Sequence, residues 1–127
     1  MIIETLEDPQ EYAKIHETVF GKQPQEIPQE CIVGRRVDRT IVAFISGFWL
    51  AHNHFYIQWG GVLPEYQGVG YLRHLSDILH DHIEYDMVVQ NTNSVMIRTM
   101  LKLGFTIIGV MIQQDKLYVQ LKRNRHG

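Results

Sequence analysis

Apolar residues recur in two periods along the chain, and the switches between them outline the predicted elements. Ile2-Ile3-Glu4-Thr5-Leu6 reads as a short opening strand. Glu7-Asp8-Pro9 can then start a helix, because acidic side chains suit its positive end and proline suits its first turn. Tyr12, Ile15, His16, Val19 and Phe20 follow at helical spacing, and Gly21 ends the pattern. Lys22 to Glu30, with Pro24 and Pro28, reads as a loop and is the one stretch with the look of a lid. From Cys31 the pattern becomes β-like. Strands are expected over Cys31 to Val37, Thr40 to Leu50 and Phe55 to Leu63, with Asp38-Arg39 and Ala51-His52-Asn53 as turns and Gly47 as a bulge.

After Pro64 the period is helical again. Leu72, Leu75, Leu79 and Ile83 make one apolar stripe, with Arg73, Asp77 and Asp81 mostly off it. Asp86 to Gln90 reads as a buried strand, Asn91-Thr92-Asn93-Ser94 as the capped start of a further helix, and Gly104 as its stop. Phe105 to Ile112 and Lys116 to Leu121 read as two last strands turning at Gln113-Gln114-Asp115. The predicted order is β-α-β-β-β-α-β-α-β-β, an α/β (α+β) chain with an antiparallel meander before the second helix. Residues 1–127 read as a single domain, with 122–127 as a basic tail.

Composition narrows the classes. The chain has 127 residues, 45% of them hydrophobic and 20% charged, which is ample for a packed core. No apolar run reaches the ~20 residues of a membrane span, and the first residues lack the pattern of a secretory leader, so a soluble cytoplasmic protein is expected. A net charge of −2 argues against a nucleic-acid partner. Cys31 is the sole cysteine, which excludes an internal disulfide and a cysteine-rich zinc site, and it reads as a small buried residue. The histidines lack a metal-binding spacing, so no metal is expected. The apolar Phe105 to Ile112 run admits a homodimer or a core strand.

The segment richest in chemistry is Val62-Leu63-Pro64-Glu65-Tyr66-Gln67-Gly68-Val69-Gly70-Tyr71-Leu72-Arg73. A strand ends, a glycine-containing turn follows and an amphipathic helix starts. Such a joint points backbone N–H groups at one spot, with the helix dipole behind them, and Gly68 and Gly70 would admit an anion to the main chain. A phosphate cradle and a plain tight turn both satisfy these residues. The sequence lacks the Gly-Lys-Ser/Thr of a Walker loop and the third glycine of a dinucleotide fingerprint.

The chain resembles the GCN5-related N-acetyltransferase (GNAT) superfamily in two segments. Pro-Glu-Tyr-Gln-Gly-Val-Gly is similar to that family's acyl-CoA pyrophosphate loop, Arg/Gln-x-x-Gly-x-Gly/Ala; Gln67 and Gly70 match, while Leu72 stands where Gly or Ala is usual. Asn93 to Phe105 resembles the family's second motif; Asn93, Lys102, Gly104 and Phe105 match it, and Met96, Thr99 and Met100 depart. The resemblance implies a GNAT-like fold: a central mixed, mostly antiparallel, splayed sheet of about six to seven strands flanked by helices. It implies acetyl-CoA as acyl donor. The pantetheine would pair with the strand around Gly61 and Val62, and the pyrophosphate would lie on the N–H groups of Gln67, Gly68, Val69, Gly70, Tyr71 and Leu72. Asn93 would bond the pantetheine or order the last helix. The implied activity is transfer of acetyl to an amine by direct attack in a ternary complex, with a backbone N–H near Val62 as oxyanion donor. The family's frequent tyrosine acid is Met100 here, and its frequent glutamate base has Gln58 and Trp59 in its place. His52 and His54 flank that strand and are the candidate bases. A GNAT-fold protein that has lost catalysis is the alternative.

Overall fold

The computed structural model describes residues 1–67 and 71–125, with backbone only for Tyr71 and Leu72. It contains seven strands and three α-helices: β1 (Ile2–Thr5), α1 (Pro9–Phe20), β2 (Glu30–Arg35), β3 (Ile41–Ala51), β4 (His54–Val62), a 3-10 turn (Pro64–Tyr66), α2 (Tyr71–Ile78), β5 (Glu84–Gln90), α3 (Ser94–Lys102), β6 (Thr106–Gln113) and β7 (Lys116–Arg123). The strands form one mixed sheet in the order β1-β2-β3-β4-β5-β7-β6. β4 and β5 run parallel, whereas β1–β2, β2–β3, β5–β7 and β6–β7 are antiparallel. Among the described residues, no helix is long and apolar enough to cross a membrane. The chain's contacts fall into two compact units. The first comprises Met1–Phe48 with Trp59–Leu79, the second Trp49–Gln58 with His80–Gly127.

In the first unit, local chemistry sets the limits of α1 as the sequence predicts. Asp8 caps the N-terminus by accepting the Gln10 N–H at 2.9 Å, Pro9 occupies the first turn, and Gly21 closes the helix at φ 75°. The apolar stripe of α1 buries Tyr12 and Ile15 against Cys31, Val33 and Phe44 of the sheet, with Leu6, Val19, Phe20 and Leu63 at the margin. The Tyr12 hydroxyl and Ser46 Oγ, both buried, meet at 3.1 Å and pin the helix to β3. Arg35 is buried yet satisfied. Its guanidinium pairs with Glu4 of β1 and with Glu11 of α1, the latter at 2.8 Å. The bulge expected at Gly47 is absent: Gly47 pairs regularly with Glu30, and the register shifts at Gly34/Arg35 instead.

In the second unit, β5 buries Tyr85, Met87 and Val89, and β7 contributes Val119 and Leu121 to the same core. Three boundaries differ from the sequence reading. The pattern through Ile83 predicted a longer α2, but the His80 N–H leaves the helical ladder and donates to the Tyr85 hydroxyl at 2.9 Å. β5 starts two residues early, at Glu84, because it pairs with His54 of β4. β7 extends through Lys122 and Arg123, which the sequence assigns to a solvated tail. Lys122 sits opposite Asp86 in the ladder, and Arg123 Nη2 reaches Asp81 at 3.0 Å.

Candidate active site

The first unit carries the strand–turn–helix joint. Leu63 donates its N–H to the Val42 carbonyl of β3 at 2.8 Å. By the alternation of a strand, the N–H of Val62 therefore points away from β3. Proline at position 64 opens the 3-10 turn, and Tyr66 N–H closes on Leu63 O at 2.9 Å. Gln67 then turns back: its Nε2 donates to the Val62 carbonyl at 2.8 Å. The side-chain amide of Gln67 thus braces the end of β4 against the turn that leads to α2. Gly61 lies where α1 packs closely on the strand. A Cβ there would lie 3.0 Å from Val19 Cγ1 and 3.7 Å from Phe44 Cε1, so the missing side chain lets α1 approach the strand. Gly68, Val69 and Gly70 lie outside the described residues. Tyr71 and Leu72 are the first residues of α2.

Beside this joint is a histidine that the sequence reading placed only on the apolar stripe of α1. His16 is 1% exposed, and its Nδ1 lies 2.8 Å from the Lys22 carbonyl, which fixes the proton on Nδ1 in the neutral ring. Nε2 is buried with no hydrogen-bond partner among the described residues. Phe20 and Trp59 wall the ring at centroid distances of 4.8 and 5.1 Å, and Lys22 Nζ stands 5.9 Å from the Trp59 centroid. Such a nitrogen can accept a proton or a hydrogen bond from a ligand. Its only sequence signal was a polar residue on an otherwise apolar helical face.

The second unit holds the two expected bases. His52 is exposed in the β3–β4 turn, next to Asn53 at φ 64°. His54 opens β4 and lies between two carboxylates, with Nδ1 3.2 Å from Glu84 and Nε2 3.0 Å from Asp86. Lys122 Nζ joins the cluster at 3.3 Å from Glu84. On the same strand, burial and then the charge of Asp86 push the Tyr56 hydroxyl pKa up. His54 is the first residue of β4 and Val62 the last. Asn93 caps α3, its side chain accepting the Met96 N–H at 3.2 Å. Met100 is buried in α3, and its carbonyl accepts the Phe105 N–H at 3.0 Å. Cys31 is 3% exposed, and burial followed by the nearby Glu11 charge pushes its thiol up to about 12, so it is no nucleophile at neutral pH.

In the mixed sheet β4 and β5 run parallel, registered from His54↔Glu84 to Ile57↔Met87, and β4 runs on into a braced strand-to-helix turn. The family model described as the Acetyltransferase (GNAT) family matches residues 2–105, and the chain belongs to that family. Ard1 from Thermoplasma volcanium aligns with a TM-score of 0.73 at 17% identity, over 99% of this chain and 98% of that one. A mutant of the spermidine N-acetyltransferase SpeG from Vibrio cholerae aligns with a TM-score of 0.73 at 10% identity, over 98% and 95%. A putative streptothricin acetyltransferase from Bacillus anthracis, in complex with acetyl coenzyme A, aligns with a TM-score of 0.61 at 18% identity, over 80% and 65%. No curated protein matches the chain.

Proposed function

We propose that the protein is an N-acetyltransferase that moves acetyl from acetyl-CoA to an amine by direct attack in a ternary complex. The observation that carries the reading is the braced joint in the first unit. Gln67 Nε2 holds the Val62 carbonyl at 2.8 Å, so the end of β4 and the turn into α2 are set as one piece. The Val62 N–H, directed away from β3, is the donor proposed for the thioester oxygen. A fixed donor aimed at a developing oxyanion is worth ~3–4 kcal/mol of barrier. The Gly68-Val69-Gly70 motif and the first N–H groups of α2 are the proposed pyrophosphate site. Acetyl-CoA supplies the activated acyl group; the chain's own residues bind and orient it.

The amine must be neutral to attack. With Gln58 in place of a carboxylate and His54 at the far end of β4 from Val62, the proposed proton acceptor is solvent, orientation supplying most of the rate. His54 or His52 as base is the alternative within this mechanism. It requires the amine within ~3 Å of a ring nitrogen, or one water away. The pH–rate profile decides: under the solvent route it follows the amine's own pKa and survives His54→Ala and His52→Ala. A profile that flattens in either variant names that histidine as the base.

The test of function is release of free CoA thiol from acetyl-CoA with a panel of amines: spermidine, streptothricin, a peptide α-amine and a lysine side chain. Turnover with any of them supports the reading. Met100 and Gln58, which cannot act as acid or base, favour a second reading, a GNAT-fold protein that binds CoA without catalysis. Binding without turnover of any amine would select it.

A further inference from the structure

Resting on the acetyl-transfer reading above, we infer that His16 holds the acceptor substrate: Nε2 of its neutral ring accepts a hydrogen bond from an N–H of a primary amine carried on an apolar stem. His16 lies in the first unit, in the C-terminal half of α1, and is 1% exposed. The Lys22 carbonyl takes its Nδ1–H at 2.8 Å, so Nε2 carries a lone pair, and that atom has no hydrogen-bond partner among the described residues. A buried acceptor left unpaired costs free energy that an apolar side chain in its place would not. A donor that arrives with a ligand accounts for an imidazole kept here despite that cost.

The surroundings indicate the kind of donor. Three aromatic rings meet the imidazole, with centroids at 6.0 Å for Tyr12, 4.8 Å for Phe20 and 5.1 Å for Trp59. The Tyr12 hydroxyl is engaged with Ser46, and the faces of Phe20 and Trp59 suit a hydrocarbon or aromatic stem. Lys22 Nζ, 5.9 Å from the Trp59 centroid, already brings a cation to that ring. A second positive charge beside it is disfavoured, so the amine is received neutral, the state in which it attacks. A neutral primary amine has two N–H groups and one lone pair. Giving one N–H to Nε2 turns the nitrogen and leaves the lone pair for the thioester carbon. The nitrogen–carbon bond forms, the carbon–sulfur bond breaks, CoA leaves as thiolate, and the amine's proton passes to solvent as proposed above.

Trp59 supplies the way in. It is 39% exposed, stands edge-on to His16 with the planes at 76°, and rests on Phe20 at 5.0 Å. Turning this part-exposed indole is the proposed opening to Nε2. Trp59 also precedes Val62 by three residues on β4, no more than ~10 Å along the strand from the proposed oxyanion donor. Gly61, between them, shares the Trp59 face by the alternation of a strand, and its Cβ position lies 3.0 Å from Val19 of α1. His16, Trp59 and the end of β4 therefore line one side of the strand.

Tryptophan fluorescence in saturating CoA reads amine binding without turnover, because Trp59 is the wall that moves. Phenethylamine should bind. Its quaternary trimethylammonium analogue keeps the stem and a charge but has no N–H, and should bind about tenfold more weakly or worse. His16→Asn keeps a donor for the Lys22 carbonyl and puts nothing at the Nε2 position. It should raise the phenethylamine dissociation constant and lower kcat/KM about tenfold, the worth of one hydrogen bond, while the thermal shift with acetyl-CoA stays as in wild type. His16→Gln sets an acceptor near the Nε2 position; it should restore most of both losses, and it tests the proposal if the asparagine variant does not fold. A folded His16→Asn that binds phenethylamine like wild type, a quaternary analogue that binds as well as the primary amine, or a wild-type chain that binds neither phenethylamine nor any amine of the panel above would overturn the proposal. Turnover that His16→Asn leaves unmoved removes His16 and keeps acetyl transfer. Binding that depends on His16, with no turnover, keeps His16 and removes acetyl transfer.

Discussion

Gly61→Ala separates two reasons for a glycine at the end of β4: approach of a cofactor, or approach of α1. The added Cβ would stand 3.0 Å from Val19 Cγ1, a few tenths of an ångström too close. Val19 lies on α1, where a β-branched side chain has one strongly preferred χ1 rotamer, so it cannot swing aside cheaply. Overpacking by one methyl costs ~1–2 kcal/mol. Replacing glycine restricts the unfolded chain and returns about 0.4–1 kcal/mol. The net expectation is a loss of about 1 kcal/mol, or about 4 °C in Tm for a chain of this size. Val19→Ala alone removes half-buried methyl groups and should also cost about 1 kcal/mol. Together the two should cost less than their sum by ~1 kcal/mol, because the space vacated by Val19 receives the new methyl. Urea unfolding of the four proteins measures the cycle. Because the Gly61 side faces α1, the double variant should keep its thermal shift with acetyl-CoA. Additive stabilities would refute the packing argument, and loss of the shift in the folded double variant would return Gly61 to the cofactor.

Three further outcomes follow from the described contacts. Cys31, with its thiol pushed up to about 12 by burial, should give no colour with a disulfide reagent at pH 8 until denaturant is added. The CoA-release assay then has no protein background. Arg35 and Arg39 hold the Glu4 carboxyl below its ordinary pKa of 4.5. The associated stability is complete above that value and lost as pH falls through the lower folded value, so unfolding midpoints should drop below pH 4.5, less steeply in Arg39→Ala. Tyr12→Phe should cost ~1–2 kcal/mol by stranding the buried Ser46 hydroxyl, and adding Ser46→Ala should recover part of that loss in the same urea assay.

The elements were legible where their causes are local. Asp8, Pro9 and Gly21 mark both ends of α1, and Asn93 marks the start of α3. The second motif and the strand-to-helix joint were also readable, because residue type and spacing carry them. What escaped depends on partners distant in sequence. Lys122 and Arg123 read as a tail until Asp86, Glu84 and Asp81 are placed beside them. α2 stops early because Tyr85, seven residues beyond its end, takes the His80 N–H. His54 read as a candidate base flanking the strand, and the carboxylates on either side of it come from β5, about thirty residues on. His16 passed as core because nothing in its own helix reveals that Nε2 has no hydrogen-bond partner among the described residues.

The central claim is that the joint between β4 and α2 binds acetyl-CoA, and thermal unfolding with the ligand tests it most directly. At ~100 times its dissociation constant, acetyl-CoA should add about 2.7 kcal/mol, which raises Tm by roughly 10 °C. NAD and ATP at the same concentration should not match it. Gly70→Glu, which sets a carboxylate in the pyrophosphate motif, should abolish the shift in a protein that still unfolds cooperatively. A wild-type chain whose Tm does not move with millimolar acetyl-CoA would contradict the account, whatever its fold.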